Sequence, residues 1–439
     1  MNIRRYIYAM ALTVVCQPSV VAQTAEDTLE SDTLLEDLRI NPDMDSCGIS
    51  APVRDLSDYP YVDVMANRIE MNDADWSALR RRFGHVTADP REVFTVIHLG
   101  DSHIQADMST AVLRARLAEA LDGDSGRGLV CPLRMAGTNE PSDYVFRIDK
   151  PVVASTLMRQ PWKAGMSFSG VSVVPQDSVF DITLTCKTPF SLVRLFFSGD
   201  SGVASVGSVR DHATGVDIGF VDFPVEKGIY LALDSEVSGV DVRIVAEEEG
   251  SVVVSAAELR RENGSALCHG IGNNGATFGS YCLIGDFGTG IASLKPDLIV
   301  VSLGTNEAFG NISAENFRSD IGRLVGTLRE YCPRAEILLT TPSECFRRSY
   351  RRTKNRRRRS AQVVNRKIET MRNQILEFGM RNGIPVYDWY EVAGGEGSAS
   401  RWKADGLLGR DGIHLSAKGY SLSGELLSDA ILNALTGND

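Results

Sequence analysis

The sequence is poor in residue patterns that bind metals, nucleic acids or membranes. Its 439 residues include only six histidines, and none of the eight cysteines stands in a C-x-x-C pair, so neither a metal nor a cofactor is predicted. Acidic residues outnumber basic ones by 57 to 46, which argues against nucleic acid as a partner because phosphate binding needs a basic surface. No apolar run reaches the roughly 20 residues of a membrane-spanning helix. A hydrophobic content of 43% also excludes a disordered chain.

The N-terminus has the pattern of an export signal over residues 1–22. Two arginines precede a short apolar run, Tyr6–Cys16, and small residues stand before a predicted cleavage point after Ala22. The residues before Cys16 do not fit a lipid-anchored terminus. We therefore expect a periplasmic or cell-envelope protein, with a polar, acidic tether over residues 23–58.

An exported chain can form disulfides, and seven cysteines remain after the predicted cleavage. The two pairs closest in sequence are Cys268–Cys282 and Cys332–Cys345, and these are the pairs to test first. Buried free thiols are the alternative that the sequence leaves open.

Hydrophobic patterning divides the chain into two kinds of structure. Short buried-strand runs at 93–99, 298–303 and 337–341 alternate with helical stretches, which predicts an α/β unit. Between them, from about residue 145 to 259, only short β-branched runs separated by turn residues occur, which is typical of a β-sandwich. The predicted organisation is an α/β domain (59–135 and 265–439) interrupted by an all-β insert (136–264).

Three short segments carry candidate chemistry. Ser102 follows the first buried strand, where a turn exposes its hydroxyl at the carboxyl end of the sheet. Asn306 follows the strand at 298–303 and can direct an amide donor to the same edge. Asp411 and His414 stand three residues apart, a spacing that lets the carboxylate orient the imidazole. Gly275, in a glycine turn, offers a backbone N–H between these segments.

Ser, Gly, Asn and Asp-x-x-His in this order resemble the SGNH (GDSL-type) hydrolases. The resemblance covers roughly 93–125 and 266–439 and implies a three-layer, flavodoxin-like α/β fold with a parallel sheet. The longer motifs around Ser102, Asn306 and His414 are similar to the peptidoglycan O-acetylesterase branch, some of whose members carry an insert that resembles a carbohydrate-binding module. Glu307 departs from the family pattern, which has Asp there.

The resemblance implies a serine esterase without cofactor that acts through Ser102, His414 and Asp411. The N–H groups of Ser102 and Gly275 and the side chain of Asn306 are the implied oxyanion donors. Candidate substrate contacts are His103, Asn274 and Glu307. Within the insert, Trp162 and Phe168 are candidate sugar platforms, although core packing is the simpler role for both.

One segment contradicts the acidic average. Nine basic and no acidic residues lie between Arg347 and Arg359, while the rest of the chain carries 37 basic and 57 acidic residues. The sequence predicts a loop followed by a helix from Ser360 to Phe378. A solvated loop is one interpretation. The other is electrostatic binding to an anionic polymer at the wall or membrane surface, for which peptidoglycan stem-peptide carboxylates or a membrane-surface glycolipid would qualify. The candidate contacts are Arg351, Arg352, Arg356 and Arg357.

The expected substrate is an O-acetylated cell-wall polysaccharide, most of all peptidoglycan. An acetylesterase acting on another glycan and a generic lipase are the enzymatic alternatives. The neighbours of the candidate site, such as Gln105, Asp107 and Asn273, are polar, which favours a polar substrate and a small acyl group over a long chain. A glycan-binding protein without activity is the alternative outside enzymes.

Overall fold

The computed structural model describes residues 56–89, 92–198, 203–225, 228–352 and 358–437. The predicted export signal, nearly all of the tether, and Cys47, Arg356 and Arg357 lie outside the described residues. No helix among the residues described is long and apolar enough to cross a membrane.

Seventeen strands and ten α-helices are described, and we number each kind in chain order. The strands are β1 Ile69–Glu70, β2 Phe94–Gly100, β3 Gly128–Val130, β4 Tyr144–Ile148, β5 Val152–Thr156, β6 Val171–Pro175, β7 Val179–Phe197, β8 Ala204–Asp211, β9 Phe220–Val225, β10 Gly228–Ala246, β11 Val254–Arg260, β12 Ala266–Gly272, β13 Leu298–Ser302, β14 Glu336–Thr340, β15 Phe346–Arg352, β16 Arg358–Val364 and β17 Val386–Tyr387. The helices are α1 Ser77–Ala88, α2 Ser102–Gln105, α3 Met108–Ala120, α4 Phe278–Tyr281, α5 Phe287–Ser293, α6 Ala314–Tyr331, α7 Lys367–Asn382, α8 Trp389–Val392, α9 Ser398–Ala404 and α10 Ala417–Thr436.

A six-stranded sheet forms the centre of the α/β part, in the order β1-β17-β14-β13-β2-β12. Its last five strands run parallel, and only the edge strand β1 is antiparallel. Counted along the chain, the parallel strands have the flavodoxin-like order 2-1-3-4-5. The order reverses between β2 and β13, and ligands bind at the carboxyl ends of the strands at such a reversal.

Helices cover both faces of this sheet, as strands buried on two sides require. Side chains alternate between the two layers along each strand. On β2, Ile97 and Leu99 join the core beneath α4 to α7, whereas Phe94 and Val96 join the core beneath α1, α3 and α10. The predicted α/β architecture is therefore the observed one.

The strands β3 to β11 form a second, antiparallel sheet of nine strands between β2 and β12 in the chain. The two longest, β7 and β10, pair along most of their length with register shifts between Ala232 and Gly239. Each of them has different neighbours on its two halves, so the sheet folds over one shared apolar core. Such bends in strands are how a sandwich turns its corners. Phe168 is buried and packs with Phe196, and the indole N–H of Trp162 donates to Leu157 O at 3.2 Å, so both aromatic rings serve packing.

Buried charges join the two sheets. Arg127, which precedes β3 and is 3% exposed, donates to Asp107 Oδ2 at 2.6 Å and to Asp143 Oδ2 at 2.8 Å. Asp107 lies between α2 and α3, and it also accepts from Arg114. Buried ions need such mutual pairing to offset their lost hydration.

The basic segment differs from the prediction of a loop and a helix start. The strands β15 and β16 pair as an antiparallel ribbon, which we call the basic hairpin, and helix α7 begins only at Lys367. The prediction of helix from Ser360 was wrong because Ser360–Val364 pairs with β15. The β-branched Val363 and Val364 suit a strand and oppose Arg347 and Phe346.

Neither candidate disulfide forms, and the six cysteines among the described residues are all free, the alternative that the sequence left open. Cys268 belongs to one core layer of the central sheet and Cys282 packs against the other. Cys332 and Cys345 lie beyond opposite ends of β14, a five-residue strand that spans about 16 Å. The fold therefore separates the members of both candidate pairs.

Candidate active site

Ser102 begins the short helix α2 directly after β2. The turn is tight, because a Cβ on Gly100 would lie 2.6 Å from Ser302 O. The Asp101 carboxylate stabilises the helix start by accepting the His103 backbone N–H at 2.9 Å. Burial raises the pKa of Asp101 to about 6, against the opposing effect of that N–H. The strand thus presents the Ser102 hydroxyl at the reversal point of the sheet.

A hydrogen-bonded relay links Ser102 to the C-terminal part of the chain. His414 Nε2 lies 2.8 Å from Ser102 Oγ, and His414 Nδ1 lies 2.6 Å from Asp411 Oδ2. Asp411 Oδ1 also accepts the backbone N–H groups of residues 413 and 414. Burial raises the pKa of Asp411, but the hydrogen bond and charge of His414 outweigh it, and the net shift is downward. An ionised carboxylate holding one imidazole nitrogen leaves the other to accept a proton from the serine.

The basic hairpin supports the loop that carries this relay. Its first residue, Phe346, donates its backbone N–H to Gly412 O at 2.7 Å, and Gln362 Nε2 donates to Asp411 O at 2.8 Å. Gly412 has a φ of +76°, and a Cβ there would lie 3.0 Å from the Phe346 ring. Sequence reasoning missed both supporting residues, since neither has a local motif.

The structure places the predicted oxyanion donors near the same point. Gly275 lies in the loop after β12 with a φ of +80°, which glycine adopts without strain. Asn306 follows β13, and its amide nitrogen donates to Ala276 O at 2.9 Å and to Asp101 Oδ2 at 3.2 Å. Asn306 therefore joins the loop of Gly275 to the turn of Ser102.

Among the predicted substrate contacts, His103 lies beside the relay. Its ring centroid is 5.2 Å from that of His414, and its Nδ1 lies 3.1 Å from the Tyr420 hydroxyl. Burial and the neighbouring His414 lower the pKa of His103 to about 3, so the ring is neutral at physiological pH. Tyr420 thus orients His103. Tyr420 lies on α10, the helix that follows His414 in the chain.

Glu307 does not reach the surface of the site. Its side chain is buried in the 3₁₀ turn Glu307–Phe309, and Oε1 accepts the Phe278 N–H at the start of α4 at 2.8 Å. Burial raises the pKa of this carboxyl to about 8, and its other oxygen has no hydrogen-bond partner. The prediction of Glu307 as a substrate contact is therefore corrected: it supports the helix that follows Gly275.

Asn274 contacts protein rather than open space. Its side-chain amide donates to Thr138 Oγ1 at 3.0 Å and to Asn139 Oδ1 at 2.8 Å. Its backbone N–H donates to Gln105 Oε1 at 2.7 Å. No local signal in the sequence pointed to Thr138 or Asn139, which lie more than 130 residues before Asn274.

A cavity of about 80 Å³ lies next to Asp101 and His103, the residues on either side of Ser102 in the chain. Hydroxyl, aromatic and aliphatic side chains line the rest of it, including Thr340, Trp389 and Leu427. Among the residues that the structure describes, no cluster of histidine, cysteine and carboxylate side chains could hold a metal ion. The chemistry that the relay makes available is that of an activated serine.

Comparison with known proteins agrees with this geometry. The family model of the GDSL-like lipase/acylhydrolase family matches residues 234–422. The match includes Gly275, Asn306, Asp411 and His414 but begins after Ser102, since the strands β3 to β11 separate that serine from the rest. A search of curated proteins finds no match.

A solved structure described as "Peptidoglycan O-acetylesterase in action, 5 min" is 21% identical, with a TM-score of 0.64 over 82% of this chain and 97% of that chain. The lipase/acylhydrolase from Enterococcus faecalis is 22% identical, with a TM-score of 0.29 over 39% of this chain and 77% of its own. A GDSL-like lipase from Bacteroides thetaiotaomicron is 18% identical, with a TM-score of 0.26 over 38% and 76%. The predicted resemblance to the GDSL-type hydrolases is confirmed, and with it the class of carboxylic ester hydrolase.

Proposed function

We propose that this protein is an exported serine esterase that removes O-acetyl groups from cell-wall polysaccharide, with peptidoglycan as the substrate. The observation that carries the proposal is the relay from Ser102 Oγ through His414 to Asp411, with links of 2.8 and 2.6 Å. Ser102 attacks the acetyl carbonyl while His414 takes its proton. His414 then gives that proton to the departing sugar oxygen, which leaves as a hydroxyl and leaves the acetyl group on Ser102. His414 next activates the water that releases acetate.

The negative charge on the carbonyl oxygen is received by the N–H groups of Ser102 and Gly275 and by the Asn306 amide. Each such donor contributes about 3 kcal/mol to the stabilisation of the transition state. The longer of the two Asn306 bonds, at 3.2 Å to Asp101, is the one that gives way to the oxyanion. Asp101 thereby keeps the amide oriented before substrate arrives.

The surroundings of Ser102 favour a polar substrate with a small acyl group. His103 and Gln105 follow Ser102 on α2, and Gln105 is hydrogen-bonded to Asn274, so polar side chains stand beside the nucleophile. A lipase needs a long apolar cleft for the acyl chain, whereas the neighbouring cavity measures only about 80 Å³, which favours an acetyl group. The likeness to a structure described as a peptidoglycan O-acetylesterase motivates the choice of polysaccharide.

Acid release from three substrates tests the proposal. Wild type and Ser102→Ala are incubated with O-acetylated peptidoglycan, another acetylated glycan and a long-chain ester. We expect acetate from peptidoglycan with wild type only. Faster release from the other glycan would reassign the substrate, and long-chain acid would select the lipase. If wild type releases no more acid than Ser102→Ala from any of the three substrates, the esterase proposal is excluded. A glycan-binding protein without activity is then the remaining alternative.

The insert formed by β3 to β11 is proposed to bind glycan, like a carbohydrate-binding module. The observation behind this is an aromatic pair on β9 and β10, where Phe223, 44% exposed, stacks on Tyr230 with ring centroids 4.9 Å apart. Flat exposed aromatic rings suit the apolar faces of sugars. Phe223→Ala is expected to weaken retention on insoluble peptidoglycan without changing hydrolysis of a small ester. Unchanged retention would remove this role.

The basic hairpin is proposed to contact an anionic polymer such as the carboxylates of peptidoglycan stem peptides. Arg347 and Arg348 are exposed, and the strand register pairs position 351 with 359 and 352 with 358, all arginines. A segment with so many arginines and no acidic residue creates a positive local potential that attracts anions. Arg356 and Arg357 lie outside the described residues and remain candidates from sequence alone.

Binding to insoluble cell-wall material across salt concentrations tests the hairpin. The test variant replaces Arg347, Arg348, Arg351 and Arg352 by Gln, and the control replaces four other exposed arginines, Arg68, Arg323, Arg334 and Arg381. The test variant should bind more weakly and show a shallower salt dependence, because fewer charges are screened. Equal binding by test and control variants would exclude the proposal.

A further inference from the structure

The insert reaches the candidate active site through the loop between β3 and β4, residues 131–143, which we call the insert loop. We propose that Thr138 and Asn139 of this loop position the oxyanion donors, so that the insert is required for the chemical step and not for glycan binding alone. The inference rests on the proposed esterase function of Ser102.

Gln105 is the first link between the insert loop and the site. It lies three residues after Ser102 on the short helix α2 and is only 3% exposed. Its side-chain nitrogen lies 2.9 Å from Thr138 Oγ1, 2.8 Å from Asn139 Oδ1 and 2.9 Å from the Asn139 backbone oxygen. The insert loop therefore fixes the orientation of a buried amide on the helix that begins with the nucleophile.

Asn274 is the second link, and it shares the same two acceptors. Its side-chain nitrogen lies 3.0 Å from Thr138 Oγ1 and 2.8 Å from Asn139 Oδ1. Asn274 directly precedes Gly275, whose N–H is a proposed oxyanion donor. Two insert side chains thus hold both the Ser102 helix and the Gly275 loop.

A third contact closes this arrangement. The Gln105 Oε1 atom accepts the Asn274 backbone N–H at 2.7 Å. Which way the Gln105 amide points is decided by the acceptors of the insert loop, because its nitrogen faces them. If the two side-chain acceptors are removed, only the Asn139 backbone oxygen, 2.9 Å from the Gln105 amide nitrogen, still holds the amide, and the pairing of Gln105 Oε1 with the Asn274 N–H is weakened. The peptide between Asn274 and Gly275 then loses a constraint on its orientation.

The insert loop is itself anchored to the β insert. Glu140, whose side chain is 2% exposed, pairs with Arg147 on β4 at 3.1 Å. Asp143 pairs with the buried Arg127 at 2.8 Å. A second part of the insert lies close by, since Met158 Cγ is 3.5 Å from the position of a Cβ on Gly275. The positioning side chains therefore stand on a rigid base.

The test uses full-length protein and a small soluble acetyl ester, p-nitrophenyl acetate, which needs no glycan-binding surface. Thr138→Val and Asn139→Leu each remove an acceptor at nearly constant volume, and the double variant removes both. Thr138→Ser and Asn139→Asp keep the acceptor oxygens and serve as rescue variants. Thr183→Val is the matched control, because it removes another side-chain hydrogen bond of the insert, from Thr183 Oγ1 to Asp241.

We expect the double variant to lose about tenfold to a hundredfold in kcat with KM nearly unchanged, since small displacements of catalytic donors cost that much. The rescue variants and Thr183→Val should stay within about threefold of wild type, with melting temperatures showing that all are folded. A folded double variant with wild-type kcat would overturn the inference. Equal rates for wild type and Ser102→Ala would instead refute the esterase proposal, which separates the two failures.

Discussion

Glu307 makes the stability of this protein depend on pH. Its carboxyl is buried, one oxygen accepts the Phe278 N–H, and the other has no partner. Burial raises the pKa of Glu307 from 4.5 to about 8. The folded protein therefore keeps a proton on Glu307 at neutral pH, whereas the unfolded chain releases it.

The sign and size of the effect follow from linkage. The pKa of Glu307 is higher in the folded protein than in the unfolded chain. Below pH 4.5 the carboxyl is protonated in both states and its ionisation does not affect the free energy of unfolding; between pH 4.5 and 8 that free energy falls as the pH rises. Each pKa unit corresponds to about 1.4 kcal/mol, so the whole window is worth about 5 kcal/mol. Glu307→Gln removes the ionisation and keeps an oxygen for the Phe278 N–H.

Urea unfolding of wild type and Glu307→Gln from pH 5 to 8.5 measures how the free energy of unfolding of each depends on pH. The stability of the variant relative to wild type should rise by about 4 kcal/mol across that range. Taking the change with pH removes any constant difference between a buried carboxyl and a buried amide. Glu330→Gln, at an exposed glutamate of α6, is the control and should show no comparable rise. A relative stability of Glu307→Gln that is flat with pH would refute the reasoning.

Three further predictions concern the relay, the buried charges and the tight turn. Asp411→Asn should lower kcat for acetyl ester hydrolysis by about 10³- to 10⁴-fold without lowering the melting temperature, because the imidazole loses its orienting carboxylate; a loss under tenfold would exclude the relay. Arg127→Met should destabilise the fold by about 3 kcal/mol in urea unfolding, since the buried Asp107 then keeps only Arg114 as an ionic partner and Asp143 loses Arg127, whereas Arg243→Met, at an exposed arginine, should cost much less. Gly272→Ala should cost about 1–3 kcal/mol or more and reduce activity, because its Cβ would lie 2.0 Å from the Gln105 backbone nitrogen; wild-type stability and activity would contradict this.

Much of the α/β architecture was predictable because its signals are local. Buried strands rich in β-branched residues and helices with apolar periodicity are read from short windows of sequence. Parallel strands bring their carboxyl ends to one edge, so Ser102 after β2 and Asn306 after β13 were expected to lie together. Asp411 and His414 are three residues apart, and their hydrogen bond needed only a tight loop.

The predictions that failed involve competition between local preference and distant contacts. Ser360–Val364 was predicted to be helical, but pairing with β15 makes it a strand. The two cysteine pairs are close in sequence, yet the fold sends Cys268 and Cys282 to different core layers. Glu307 was expected at the surface of the site, and the packing of α4 buries it instead.

The sequence by itself therefore determined the α/β class, the set of reactive residues and their order along the chain, because each depends on spacing within a few residues. Only the tertiary structure decided how these residues are held. Thr138 and Asn139 accept hydrogen bonds from Gln105 and from Asn274, and Asn274 lies more than 130 residues further along the chain. Gln362 supports the loop of Asp411 in the same way. Such contacts leave no periodic pattern, since they exist only once two sheets have folded against each other.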